Sequence, residues 1–325
     1  GYLFRIELQP NEIAQFKTIK QNLFFLIDRS HSIPEKRYEL AKEAVVQALA
    51  YLHPDDTFNV LVFDHSVIRL SPENLPCNPD SLAKAKEFLS QQKHGGIFAT
   101  TDLYASLGNI IPKAVEENEV NTAILLSDGD SSLKIDKQRQ NIASWIKQNS
   151  GKISLYSIAA GNRNNLALLD LLSTFNKGSL FYTADEPSIT ASLQKLVRSI
   201  ADPIGKEISV TAVPIKDDTK ITLYPAPSGL PNLYGHSTYV IYGSTNQLED
   251  FPIFFQGKCS DKWVDLKKII SFKEAQEIEA APLEKMWAMF ESSQLYSKYL
   301  IDGNRAHILQ AKQLLAPYNL PLAFE

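Results

Sequence analysis

Two cysteines in 325 residues, Cys77 and Cys259, are too few and too far apart for a disulfide framework or a zinc-type cluster. They leave the redox compartment open. No apolar stretch approaches the roughly 20 residues that cross a bilayer. No Lys/Arg-dense run is present and the formal net charge is -4, so nothing electrostatic points to nucleic acid or an anionic membrane. Gly95-Gly96 lacks the Gly-Lys-Ser/Thr ending of a phosphate-binding loop. There is no internal repeat and no low-complexity segment. The chain starts at Gly1 with neither an initiating Met nor a signal-peptide pattern, and reads as a segment cut from a longer protein.

What is present is an ordinary globular composition, 44% hydrophobic and 22% charged, long enough for two or three domains. From residue 23 to about 200, apolar strand-like runs (23–27, 58–63, 122–126, 153–159, 179–183) alternate with amphipathic stretches at 35–52, 80–91, 102–116, 136–149 and 186–200. The runs are too apolar for a sheet with one wet face. The alternation predicts an α/β unit: a doubly wound, mostly parallel sheet with helices on both faces and its ligand crevice at the carboxyl ends of the strands. From 206 to 270, β-type runs punctuated by proline and glycine predict an antiparallel sheet or sandwich. That stretch is short for a core of its own, and the alternating segment YLFRIEL at 2–8 supplies a further strand. The expected plan is therefore a first strand and linker at 1–20, the α/β domain at 21–202 inserted in a β-sandwich that resumes at 203–272, and a helical segment at 273–325 broken at Asp302-Gly303.

The chemistry gathers at strand ends. The run Leu23 to Ile27 stops at Asp28, and Ser30 and Ser32 follow at alternate positions, so that in an extended loop all three converge. Three oxygen groups aimed at one point suit a hard cation, Mg²⁺ before others. A second run, TAILL, ends in Ser127-Asp128-Gly129, and Thr100 and Thr101 precede a helix start at Asp102. With about 5% Asp and 7% Ser, Asp-x-Ser-x-Ser behind five apolar residues arises by chance roughly 0.001 times in such a chain. Helix capping by Ser32 explains one hydroxyl, not three convergent groups.

Asp28-Arg29-Ser30-His31-Ser32, a threonine before Asp102-Leu103, and Leu125-Leu126-Ser127-Asp128-Gly129 resemble the metal-ion-dependent adhesion site of von Willebrand factor type A domains. The segments LYPAPSGLPNLYGHSTYVIYGS and EKMWAMFESSQLYSKYL resemble the region that follows this domain in the inter-alpha-trypsin inhibitor heavy chains and their bacterial relatives. The resemblance implies a metal set of Asp28, Ser30, Ser32, Thr101 and Asp128, with the hydroxyls coordinating directly and the carboxylates directly or through water. Thr100 is the alternative to Thr101, since Ile97, Phe98, Ala99 and Thr100 intervene after the Gly-Gly pair. It further implies Mg²⁺ (with Mn²⁺ or Ca²⁺ as substitutes), a protein partner whose acidic side chain completes the octahedron, and a cell-envelope or extracellular setting. His31 and Ile33 depart from the family pattern, and His31 is expected to face solvent.

Two other readings compete with this adhesion module. A metal-dependent hydrolase built on Asp28 would need an acid/base or phosphate-holding Lys nearby, and His53, His94 and Lys134 join it in no recognisable arrangement. The chain is accordingly expected not to be an enzyme. The other reading is a structural domain with a degenerate metal site, suggested by the loop insertion at 97–100. An accessible loop site also predicts that Asp28 lies in water and contributes little to packing.

Overall fold

The computed structural model describes residues 1–9, 17–95, 102–130, 133–225, 230–260 and 262–324. The chain divides into two compact units, Ile19–Pro203 with the residues from Ala323, and Gly1–Thr18 with Ile204–Leu322. Strand β1 (Tyr2–Leu8) belongs to the second of these, although it comes first in the chain.

In the larger unit, strands β2 (Lys20–Asp28), β3 (Thr57–Phe63), β4 (Val67–Arg69), β5 (Leu75–Pro76), β6 (Glu119–Leu126), β7 (Ile153–Ala160) and β8 (Leu180–Thr183) form one sheet. Its order is β4-β3-β2-β6-β7-β8, with β5 beside β3. The pairings β2–β3, β2–β6, β6–β7 and β7–β8 are parallel, and the short strands β4 and β5 run antiparallel to β3. Helices α1 (Glu35–Ala48), α2 (Pro79–Gln91), α3 (Leu103–Gly108), α4 (Ile135–Asn149), α5 (Leu166–Thr174) and α6 (Ile189–Ser199) make the connections. Among them α1 packs against α6, and α3 against α4. Every residue of β7 is buried, as is all of β3 after Thr57. This is why those runs read as continuous apolar stretches instead of alternating ones.

The chain leaves β2 toward β3 on one side, then crosses back to place β6 on the other. The winding therefore reverses between β2 and β6, at the edge where an open α/β sheet leaves a crevice. Local sequence sets the helix starts: Asn78 accepts the Ser81 N–H at 2.9 Å with Pro79 at the first helical position, and Asn165 caps α5 in the same manner.

Two helices differ from the expectation. The segment predicted over 102–116 is helical only to Gly108, because Pro112 removes a donor and biases Ile111 away from helical geometry. Helix α5 escapes the pattern because LALLDLLST is apolar around most of its circumference and shows no polar stripe.

The second unit continues with β9 (Pro203–Ala212), β10 (Ile221–Tyr224), β11 (Leu233–Tyr234), β12 (Tyr239–Thr245), β13 (Phe251–Cys259) and β14 (Lys262–Ile270), then α7 (Ala280–Asp302) and α8 (Ala306–Leu315). One sheet is β1-β12-β10 and the other β11-β9-β13-β14. Phe4, Ile6 and Ile241 from the first meet Ile208, Val210, Ile253 and Phe255 from the second in a single apolar core. The predicted helical stretch from 274 begins only at Ala280, and Gly303, in the left-handed region at φ 70°, ends α7. Within the aromatic stripe of α7, Phe290 stacks on Tyr224 with centroids 3.5 Å apart.

Strand β1 is held in this unit by its full-length antiparallel pairing with β12, which sets Phe4 opposite Gly243. The Phe4 ring lies over the glycine so closely that a Cβ there would stand 2.1 Å from Phe4 Cζ. A ring shielding a cross-strand glycine is a known way of fixing register. Gly243→Ala should therefore expel the ring and cost about 1–3 kcal/mol, read as a lowered denaturation midpoint. An unchanged midpoint would mean that Phe4 does not depend on that contact.

Candidate metal centre

Asp28 is the last residue of β2, and the parallel register that pairs Ile27 with Leu126 places it beside Ser127 at the end of β6. The Ser127 hydroxyl donates to Asp28 Oδ2 at 2.7 Å, and the Ser30 N–H donates to Asp28 Oδ1 at 2.9 Å. The Oγ atoms of Ser30 and Ser32 lie 3.1 Å apart, Ser30 buried and Ser32 exposed. Asp128 accepts the Asp130 N–H at 2.9 Å on Oδ1 and a hydrogen bond from the Ser32 side chain. Asp28, Ser30, Ser32 and Asp128 are thus brought to one crevice. Thr101 and its alternative Thr100 lie outside the described residues. Asp102 caps α3 by accepting the Ala105 N–H, and His31 is exposed, as expected.

The expectation of a water-exposed Asp28 is overturned: the residue is 1% exposed, as is Asp128. Beside it, the Gly95 N–H bonds to the Arg29 carbonyl at 2.9 Å. Burial pushes the Asp28 carboxyl up to about 7 and the Asp128 charge adds to the rise, while hydrogen bonds from Ser30 and Ser127 oppose it. Burial also raises Asp128, against hydrogen bonds from the Asp130 N–H and Ser32 and the more distant charge of Arg37. The two carboxylates are therefore difficult to ionise together.

The glycine of Ser127-Asp128-Gly129 is required by geometry. Gly129 has φ +70°, and a Cβ on it would stand 2.8 Å from Leu169 Cγ. Its N–H donates to Ser127 Oγ at 3.0 Å, which aims the serine at Asp28, and the Asn165 N–H holds the Asp128 carbonyl at 2.6 Å.

Two ion pairs steady the rim, and sequence reasoning named neither. Arg29 Nε meets Asp64 Oδ2 at 3.0 Å, with Asp64 3% exposed at the end of β3. A signal was available: FNVLVF runs into Asp64 just as LFFLI runs into Asp28. Burial alone would raise the Asp64 carboxyl, but hydrogen bonds from Ser66 and the Arg29 charge hold it below its ordinary value. Arg37 on α1 pairs with Glu186 at 2.9 Å and donates to Asn164 Oδ1 and the Asn162 carbonyl, tying α1 to the loop after β7 and the approach to α6.

Among the described residues no three His, Cys, Asp or Glu side chains gather to hold a metal. The donors at this edge are instead two carboxylates and serine hydroxyls, an all-oxygen set that suits Mg²⁺ and not the softer transition metals. His94 Nε2 lies 2.7 Å from the Ile33 carbonyl and His53 sits beside Asp55, so neither histidine faces Asp28.

Residues 21–181 match the family model of the von Willebrand factor type A domain. The chain is 23% identical over 314 residues to inter-alpha-trypsin inhibitor heavy chain H3 of Bos taurus, covering 91% of this chain and 34% of that one. It is 24% identical over 324 residues to heavy chain H4 of Homo sapiens, covering 94% and 34%. Among solved structures, a von Willebrand factor type A protein from Catenulispora acidiphila superposes with TM-score 0.64 at 14% identity, over 96% of this chain and 88% of that one. The fold and the family model define the class: this is a von Willebrand factor type A domain protein. It is distantly related to the inter-alpha-trypsin inhibitor heavy chains along most of its sequence, and it spans about a third of their length. Type A domains are typically interaction modules, typically non-catalytic, and often bind divalent cations.

With Asp28 protonated up to about pH 7 when folded, against 3.8 as its ordinary value, its contribution to stability is complete below about pH 4 and is lost as pH rises through 7. Thermal melts in chelator between pH 4 and 8 should show this loss, on the order of 4 kcal/mol, flattened in Asp28→Asn. Parallel profiles for the two proteins would contradict the assignment.

Proposed function

We propose that this chain is a divalent-cation-dependent protein-binding module, in which Asp28, Ser30, Ser32 and Asp128 hold Mg²⁺ and an acidic side chain of a partner protein binds to it. Thr101 is the remaining ligand in this reading, on the strength of the sequence alone. Mn²⁺ or Ca²⁺ could take the place of Mg²⁺. The observation that carries the reading is the buried Asp28–Asp128 pair at the point where the sheet winding reverses, with the two serine hydroxyls beside it.

Each side chain has a separable task. Both oxygens of Asp28 already accept hydrogen bonds, which suits a carboxylate that orients the site or acts through water. Exposed Ser32 and buried Ser30 offer neutral oxygens, which bind a cation without cancelling its charge. A bound cation supplies a positive centre with a position left for an external carboxylate. Ser127 positions Asp28, and Arg29 and Arg37 fix the loops through Asp64 and Glu186.

Isothermal titration of Mg²⁺ and Mn²⁺ tests the reading. Wild type should bind, and Asp28→Ala should bind neither ion. Ser127→Ala, which removes only the orienting hydrogen bond, should weaken binding about 10- to 100-fold. Binding should strengthen from pH 5 to 8 as the raised carboxyls ionise. Absence of binding in wild type, or equal affinity in Asp28→Ala, would turn the reading to a structural domain with a degenerate site.

A further inference from the structure

Among the described residues, strand β14 forms one edge of the four-stranded sheet and is hydrogen-bonded in that sheet to β13 alone. It is nine residues long, and three of its apolar side chains are open to solvent: Trp263 (59%), Leu266 (45%) and Ile269 (54%). A long edge strand with exposed apolar side chains is a template for another strand, and proteins ordinarily guard such edges with charge. Lys262, Lys267 and Lys268 are such guards, Lys267 on the outer face. Asp265, two residues away on the same face, gives it a complement.

The register with β13 identifies the faces. Trp263, Asp265, Lys267 and Ile269 stand opposite Lys258, Gln256, Phe254 and Pro252, away from the apolar core. Gln256 donates to Asp265 and the Lys267 ammonium lies over the Phe254 ring, both on that outer face. Two copies of β14 related by a two-fold axis normal to the sheet pair antiparallel while keeping each face continuous, so the axis must pass through a residue. Centring it on Asp265, Lys267 or Lys268 sets like charges face to face. Centring it on Leu266 sets Asp265 against Lys267 of the second copy, and Trp263 against Ile269, each twice. Opposite-charge and aromatic–aliphatic cross-strand pairs are the favourable kinds.

We propose that β14 is a homodimerisation edge, at which a second copy of this chain pairs antiparallel about Leu266 and joins the two four-stranded sheets into one. The charge pattern then gives the edge a specific partner: Lys267, which repels a foreign strand, meets Asp265 of an identical one, while Lys262 and Lys268 face Ile270 and Val264 and no like charge. The surface lies wholly within the second unit and does not depend on a cation.

Sedimentation velocity on the whole chain over a wide concentration range, in chelator, tests this. Wild type should show a concentration-dependent monomer–dimer equilibrium. Asp265→Lys and Lys267→Asp should each shift it at least tenfold toward monomer, and the double exchange Asp265→Lys/Lys267→Asp should restore it. Leu266→Cys, on the axis, should form an intermolecular disulfide that Ile269→Cys does not. A wild type that stays monomeric throughout overturns the proposal and leaves the edge to a different protein. A dimer indifferent to the charge reversals overturns it by placing the interface elsewhere.

Discussion

The register between β2 and β6 is the constraint on which the site depends. By pairing Ile27 with Leu126 it makes two strands end together, so that Asp28 and the Ser127-Asp128 pair emerge side by side where the sheet changes its direction of winding. A slip of one residue would send these side chains to opposite faces. The rest follows from accommodating two carboxylates in so dry a place. Gly129 turns with a positive φ that a side chain would strain, Ser127 and the Ser30 amide spread hydrogen bonds over Asp28, and Arg29 and Arg37 pair with Asp64 and Glu186. The arrangement is poor at holding two naked charges, which is the ground for the proposed cation site.

Carrying this unit between two parts of the other raises a topological problem with a simple resolution. Strand β1 pairs with β12, more than two hundred residues later, and that would be costly if the intervening chain had to close as a loose loop. The two ends of the inserted unit are adjacent, however: the Ile19 N–H bonds to the Pro203 carbonyl at 2.6 Å. The insertion enters and leaves at one point, and the sandwich receives β1 and β9 much as it would from a short connection. Packing then secures β1, through Phe4 over Gly243 and against Phe251.

Much of this was legible in the sequence, for identifiable reasons. Buried parallel strands are continuous apolar runs, and an acid directly after such a run marks the strand's carboxyl end, so LFFLI-Asp28 and TAILL-Ser127-Asp128 mark the crevice in the sequence itself. The pairing of 2–8 with the later sheet followed from a stretch too short to bury its own core. What local pattern could not supply was burial. Asp28 looks accessible in sequence and is 1% exposed in the fold. Asp64 escaped notice although its strand ends like the others, because its meaning depends on Arg29 across the sheet. The apolar periodicity over 102–116 runs past the end of α3, which Pro112 cuts short, and α5, apolar on most sides, has no stripe to find.

The central claim is that the crevice between β2 and β6 holds a divalent cation on oxygen donors. Anomalous diffraction from crystals of the protein soaked in Mn²⁺ locates such an ion directly. The account predicts one strong peak at the crevice, bordered by Ser30, Ser32 and the Asp28 and Asp128 carboxyls. A crevice without a peak at neutral pH and saturating Mn²⁺, with ordered side chains hydrogen-bonded only to one another, would contradict it.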